Sequence, residues 1–289
     1  MSNYEEKYVE TNGIKLHVVE TGPKEGPVIF FLHGFPEFWY AWRRQMDFFA
    51  PRGYRVIVPD QRGYNLSDKP PGVAPYRVDE LAKDIVGLMD YYGQEKIFLV
   101  GHDWGGAVSW WVALKYPERL KKLVIMNCSH PLVFRKHLLG NPKQMQKSWY
   151  VFYFQLPGVV DKFASDGNYE WPVQVLVETS RPGTFSGEDL EKYREAFRQP
   201  GAFTSMVNWY RAAFQAKSEP PADFRVKVPT LILWGLDDVA FVPEQADESV
   251  AFCERGRLEK FPDCSHWIEH EKAEVINPMI LNFFAEGEK

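Results

Sequence analysis

Cysteine is scarce in this chain: three residues in 289, Cys128, Cys253 and Cys264. An odd number without metal-ligand spacing excludes a disulfide framework and predicts reduced thiols in a cytoplasmic protein. Long apolar runs are also missing. No uninterrupted stretch approaches the roughly 20 residues that cross a bilayer. The N-terminus, Met1-Ser2-Asn3-Tyr4-Glu5-Glu6-Lys7, is polar and acidic and lacks the apolar segment of a secretory signal. There is no basic block and no acidic tail, and the net charge is −5, which argues against a nucleic-acid surface and against a disordered tail. No Gly-rich phosphate loop occurs, because Gly101–Gly106 lacks G-x-G-x-x-G spacing. No metal or organic cofactor is therefore expected. What the chain has in excess is aromatic residues, 10 Trp, 14 Tyr and 21 Phe. They suit a large core and, where they cluster in mid-chain, a deep apolar pocket.

The first half alternates short apolar runs with helical patterns. Ile14–Val19 alternates like a half-buried strand, while Val28–Leu32 is continuous, as expected of a strand covered on both faces. Arg55–Pro59, Ile97–Val100 and Leu120–Asn127 are further strand candidates, and Leu81, Ile85, Leu88 and Met89 give Val78–Tyr92 a helical period. This rhythm predicts a parallel sheet. It breaks from about Pro131 to Pro221, which is helical, aromatic and interrupted by Pro and Gly. Strand character returns at Thr230–Trp234 and, more weakly, at Leu258–Phe261, and a closing helix is expected over Ala273–Ala285. The reading is an α/β fold with a mostly parallel central sheet flanked by helices. A core of 1–130 and 222–289 would carry an inserted helical cap, 131–221.

The hexapeptide Gly101-His102-Asp103-Trp104-Gly105-Gly106 joins a strand to a helix. In the G-x-S-x-G elbow a serine occupies the tip of such a turn; here the tip is Asp103. A carboxylate is already ionised at neutral pH and needs no base to act as a nucleophile, so the position points to an alkyl-ester intermediate. Asp is also a good helix N-cap, but the preceding strand and the flanking glycines favour the nucleophile.

Six landmarks, in order, then carry a resemblance over nearly the whole chain: His33-Gly34-Phe35-Pro36-Glu37, Arg62-Gly63-Tyr64, Gly101–Gly106, Asn208-Trp209-Tyr210-Arg211, Trp234-Gly235-Leu236-Asp237-Asp238 and Ser265-His266-Trp267. The chain resembles the epoxide hydrolases of the α/β-hydrolase fold. That resemblance implies Asp103 as nucleophile and His266 as the base that activates water. Asp238, selected over Asp237 by the Trp-Gly-x-x-Asp spacing, would be the acid orienting His266. It implies an oxyanion hole from the backbone N–H groups of Phe35 and Trp104, with a cis bond before Pro36. It also implies two cap tyrosines that protonate the opened epoxide oxygen. These map onto Tyr153 in Phe152-Tyr153-Phe154-Gln155 and onto Tyr210, with Tyr150 the main rival of Tyr153. Trp104, Phe35 and Trp209 are the expected substrate contacts. His33 and the other histidines, His17, His102, His130, His137 and His270, are read as structural.

The implied activity is conversion of a small apolar epoxide and water to a vicinal diol, a detoxification chemistry, by a monomer or homodimer. A haloalkane dehalogenase shares the aspartate nucleophile. Its halide leaving group needs no proton, however, and the asparagine that some dehalogenases carry after His-Gly is Phe35 here. A non-catalytic binding protein on the same fold would have no use for so complete a set of reacting groups.

Overall fold

The structure, a computed structural model, describes residues 4–287. The first three residues of the polar N-terminus read above lie outside these. Eight strands form one sheet: β1 (Glu5–Thr11), β2 (Ile14–Thr21), β3 (Val28–Leu32), β4 (Arg55–Pro59), β5 (Ile97–His102), β6 (Leu120–Met126), β7 (Thr230–Gly235) and β8 (Gly256–Phe261). Their spatial order is β1-β2-β4-β3-β5-β6-β7-β8. β2 runs antiparallel to both β1 and β4, and every other pairing is parallel.

The continuous apolar runs are explained by burial on two sides. In β3, Val28, Phe30 and Leu32 enter one core and Ile29 and Phe31 the other. In β5, Ile97 and Leu99 part from Phe98 and Val100 in the same way. Because side chains alternate across a strand, a central strand has no polar face to show. β8 is an edge strand and mostly exposed; its Arg257, Glu259 and Lys260 discourage pairing with another chain.

Helices α1 (Arg43–Phe49), α2 (Val78–Tyr91) and α3 (Asp103–Lys115) belong to the first half. α4 (Pro131–Gly140), α5 (Pro142–Lys147), α6 (Trp149–Tyr153), α7 (Val159–Asp166), α8 (Glu170–Thr179), α9 (Gly187–Arg198) and α10 (Ala202–Gln215) form the insertion between β6 and β7. α11 (Glu244–Val250), α12 (Ile268–Glu271) and α13 (Ala273–Ala285) follow. Met46 and Phe49 of α1 share a core with Ile276, Ile280 and Phe284 of α13 on one face of the sheet, and α2 and α3 cover the other. α3 is buried around most of its circumference and lies very close to the sheet. A Cβ on Gly105 would sit 2.0 Å from the Leu32 carbonyl oxygen, so only glycine permits that approach. Among the described residues no helix is long and apolar enough to cross a membrane.

The strand β1 was not expected from the sequence. It pairs with β2 through Asn12 and Gly13, both at positive φ (46° and 73°), the left-handed turn that suits a two-residue hairpin. The C-terminal ends of the neighbouring parallel strands β3, β5, β6, β7 and β8 all open on one side of the sheet, where ligands bind in open α/β folds.

Candidate active site

Asp103 stands where β5 turns into α3, at φ 48°. A non-glycine residue held in the left-handed region is strained, and such strain clusters where a side chain must be presented. Gly34 leaves room for it: a Cβ there would fall 2.4 Å from Asp103 Cβ. The loop after β3 supplies the first partner, with the Phe35 N–H donating to Asp103 Oδ1 at 2.8 Å. The Phe35–Pro36 bond is cis. His33 stiffens this loop by accepting from the Gln61 N–H (3.0 Å) on Nε2 while Nδ1 meets the Gly34 carbonyl (3.1 Å). The other expected donor, the Trp104 N–H, lies in the first turn of α3, where backbone N–H groups have no intrahelical acceptor.

His266 follows β8, with Nε2 3.7 Å from Asp103 Oδ2 and Nδ1 2.8 Å from Asp238 Oδ2. Asp238 is buried and fully engaged. Its Oδ1 accepts from the Ala240 and Phe241 N–H groups (2.6 and 3.0 Å), and its Oδ2 also accepts from Asn127 Nδ2 (2.6 Å). Asp237 turns outward instead, to Arg181 of the insertion. Burial alone would raise the Asp238 carboxyl; His266, Asn127 and the backbone donors outweigh it and hold the group below its ordinary range. Burial likewise opposes a charged imidazole, yet Asp238 and Asp103 prevail and hold His266 well above its ordinary pKa. The two neighbouring acidic side chains thus favour the charged form of this imidazole.

Above Asp103 lies a cavity of about 360 Å³, its wall including Asp103, Trp104, Tyr150, Trp209, Tyr210, Phe134 and Phe241. Tyr210 comes from α10, and its ring meets those of Trp104 (5.1 Å) and Phe35 (5.3 Å) edge-on. Trp209 is anchored by donating to the Arg62 carbonyl (2.9 Å) and packs on Tyr64, giving the Arg62-Gly63-Tyr64 segment its place behind the wall. His266 and Phe35 are not wall residues. They meet Asp103 directly, so Phe35, expected to touch substrate, contributes its N–H while its ring supports Tyr210.

The expectation for Tyr153 is corrected. Tyr153 is not in the wall; Tyr150, one turn earlier on α6, is. Residues four apart share a helix face. Tyr150 shares its face with buried Phe154 (5.6 Å between rings), and Tyr153 shares its face with Trp149 (6.1 Å), which is 60% exposed. The Tyr150 and Tyr210 rings meet edge-on, 5.8 Å between centroids. Burial is the main cause that pushes both phenols above their ordinary pKa, with the Asp103 charge adding to it. Arg211 fixes the spacing of the two tyrosines by tying α10 to the end of α6: it donates to the Phe154 and Leu156 carbonyls (2.9 and 3.1 Å) and pairs with Asp161 (2.8 Å).

Asn127 was not singled out from the sequence. It ends β6 at φ 39°, and besides holding Asp238 it accepts the Gly235 N–H at 2.9 Å. An asparagine closing a buried strand is a weak signal, since the same residue is common in turns.

The α/β hydrolase fold family model matches residues 27–273. The AB hydrolase superfamily protein YfhM of Bacillus subtilis is 43% identical over 96% of this chain and 96% of its own length. Epoxide hydrolase 1 of Caenorhabditis elegans is 37% identical over 98% of this chain and 71% of its own. The crystal structure of Bacillus megaterium epoxide hydrolase with an inhibitor superimposes with a TM-score of 0.88 at 31% identity, covering 96% of this chain and 99% of that one. The chain belongs to the epoxide hydrolase family of the α/β-hydrolase fold.

Proposed function

We propose that the protein hydrolyses epoxides to vicinal diols through a hydroxyalkyl ester on Asp103. Asp103 attacks a ring carbon while Tyr210 and Tyr150 give the epoxide oxygen a hydrogen bond and then a proton. An alkoxide is a poor leaving group without such a donor, and a buried phenol is neutral at pH 7 and able to supply one. The observation that carries this reading is the pair of tyrosines, Tyr150 and Tyr210, in the wall of the cavity that Asp103 also lines. A halide would need neither.

Alkylation changes the electrostatics of the second step. While Asp103 is an anion, His266 keeps its proton and cannot act as a base. Once Asp103 becomes a neutral ester, the Nε2 site loses its neighbouring charge; His266, still oriented by Asp238, gives up its proton, which restores the tyrosinate left by the first step, and can then accept one from water. The Phe35 and Trp104 N–H groups then stabilise the tetrahedral oxyanion formed at the ester carbonyl. The reading assigns 131–221 as a cap over a core of 1–130 and 222–289, and small apolar epoxides as substrates, in keeping with the aromatic wall. The three free, buried cysteines accord with a cytoplasmic setting.

The test is His266→Gln with an epoxide substrate. The ester is expected to accumulate, seen as a mass increase equal to the substrate on the peptide that contains Asp103. Substrate bound without an adduct would defeat the assignment.

A further inference from the structure

Behind His266 lies a group of buried ionisable side chains with no part in the chemistry above: Glu37, His102, Glu269 and His270, joined by Tyr193 from α9. All four charged or titratable core residues are essentially inaccessible to water. His102 Nε2 is 2.9 Å from the His266 backbone carbonyl. A carbonyl only accepts, so this nitrogen carries hydrogen. The other ring nitrogen, Nδ1, faces Glu37 Oε2 at 3.4 Å and Glu269 Oε1 at 3.3 Å; none of these three atoms has a hydrogen bond among the described residues, and Glu269 Oε1 also lies 3.5 Å from His270 Nε2.

If both carboxyls were ionised and His102 neutral, three buried acceptors would face one another without a donor, an arrangement that costs several kcal/mol. One added proton supplies a donor; on His102 Nδ1 it would create a buried cation, whereas on a carboxyl it leaves His102 neutral and removes one buried charge. Glu37 is the wrong place for that proton, because its Oε1 already accepts from His270 Nε2 (2.7 Å) and from the Tyr193 hydroxyl (2.9 Å), and both favour an ionised carboxylate. His270 is neutral with its hydrogen on Nε2, since Nδ1 faces the Arg43 guanidinium at 3.4 Å, which only donates. Glu269 lacks such bonds: the same His270 Nε2 is 3.5 Å from its Oε1 and is already given to Glu37.

We propose that Glu269 is a positioning residue for the base His266: as a neutral carboxylic acid it donates to His102 Nδ1 and so holds His102 in the tautomer whose Nε2–H grips the His266 carbonyl. The inference rests on the role given to His266 above. Burial and the Glu37 charge both press Glu269 well above the ordinary carboxylate range, while the His270 Nε2–H and the Tyr193 hydroxyl donate to Glu37 and favour its ionised form. Arg43 from α1, which contacts His270 Nδ1, is itself paired with Asp189 at 3.0 Å. Glu37, Glu269 and His270 also present atoms within 4.8 Å of one another, a spacing open to a metal ion. A metal on His270 Nε2 would move the ring hydrogen to Nδ1, against the Arg43 guanidinium, so the proton is the better occupant.

The test compares Glu269→Gln, whose amide can still donate to Nδ1, with Glu269→Leu, which cannot. Imidazole ¹⁵N spectra should show His102 as the Nε2–H tautomer in the wild type and in E269Q, and its loss in E269L. In single turnover, E269L should form the ester at the wild-type rate and hydrolyse it about tenfold more slowly, the effect of one lost hydrogen bond, and E269Q should recover most of that loss. An infrared band of a protonated carboxyl, present in the wild type and lost in E269Q, provides a check that does not require E269L to fold. A wild-type His102 protonated on Nδ1, the absence of that band, or equal losses in both steps and both variants would each overturn the proposal. The spectra decide it even if no epoxide is turned over, which would refute the proposed function instead.

Discussion

Replacing Tyr150 and Tyr153 separately by Phe distinguishes the two faces of α6. Phe keeps the ring contacts of Tyr150 with Phe154 and Tyr210 (5.6 and 5.8 Å between centroids) and removes only the hydroxyl. What is lost is one donor to an oxygen that becomes negative in the transition state. A hydrogen bond to a charged group contributes about 1.5–3 kcal/mol, so the alkylation rate should fall roughly 10- to 150-fold. Tyr210 remains in the wall and limits the loss. Removing both hydroxyls should approach the upper range of general-acid catalysis, about 10⁴-fold, rather than the product of two independent effects. Tyr153→Phe should stay within about twofold, because Tyr153 is not part of the cavity wall that Asp103 lines. The assay is the pre-steady-state rate of ester formation, followed by quenching of tryptophan fluorescence from Trp104 and Trp209 beside the nucleophile. A full rate in Tyr150→Phe, or a loss in Tyr153→Phe as large as in Tyr150→Phe, would refute the assignment drawn from the helix faces.

Two further outcomes follow from the electrostatics. Asp103→Asn removes a charge 3.7 Å from His266 Nε2, an interaction of about 4 kcal/mol at an effective dielectric near 20. The imidazole should therefore titrate at clearly lower pH in this variant by histidine NMR, and an unchanged midpoint would remove the basis for switching the base on by alkylation. His130 is stacked on Phe252 at 4.2 Å, and burial lowers its pKa from 6.5 to about 4. The unfolded chain takes up a proton on this residue first, so stability is lost as pH falls from about 6.5 and levels off below about 4, by at most about 3 kcal/mol. Urea melts of the wild type should therefore lose more stability between pH 7 and 4.5 than those of His130→Phe, and parallel losses would contradict the buried neutral state.

The parts of this molecule legible in its sequence are those where a one-dimensional pattern has one structural solution. Val28–Leu32 and Ile97–Val100 are apolar at every position because both faces of their strands are buried, and Gly101–Gly106 is crowded with glycine because α3 lies against the Leu32 carbonyl. Asp103 is marked by its place in a strand–turn–helix elbow, His266 and Asp238 by the resemblance to the family's motifs, and the structure brings those three together. β1 was hidden because its residues Glu5, Glu6, Tyr8 and Glu10 are exposed on a sheet edge; the Asn12-Gly13 turn was the available signal. The choice between Tyr150 and Tyr153 was not readable, since Trp149/Tyr153 and Tyr150/Phe154 are equally aromatic pairs four apart, and only tertiary packing says which pair turns inward. The group behind His266 was dispersed over Glu37, His102, Glu269 and His270, four residues from three segments. Each looks like an ordinary polar side chain until the fold removes water from all of them at once.

The most direct measurement of the central claim is a single turnover in H₂¹⁸O with enzyme in excess over epoxide. Attack by Asp103 delivers a carboxylate oxygen to the product, and solvent oxygen enters the protein when the ester is hydrolysed. The account predicts an unlabelled diol and one ¹⁸O on the peptide containing Asp103; a labelled diol with an unlabelled protein would mean that water attacks the epoxide directly and that no ester forms.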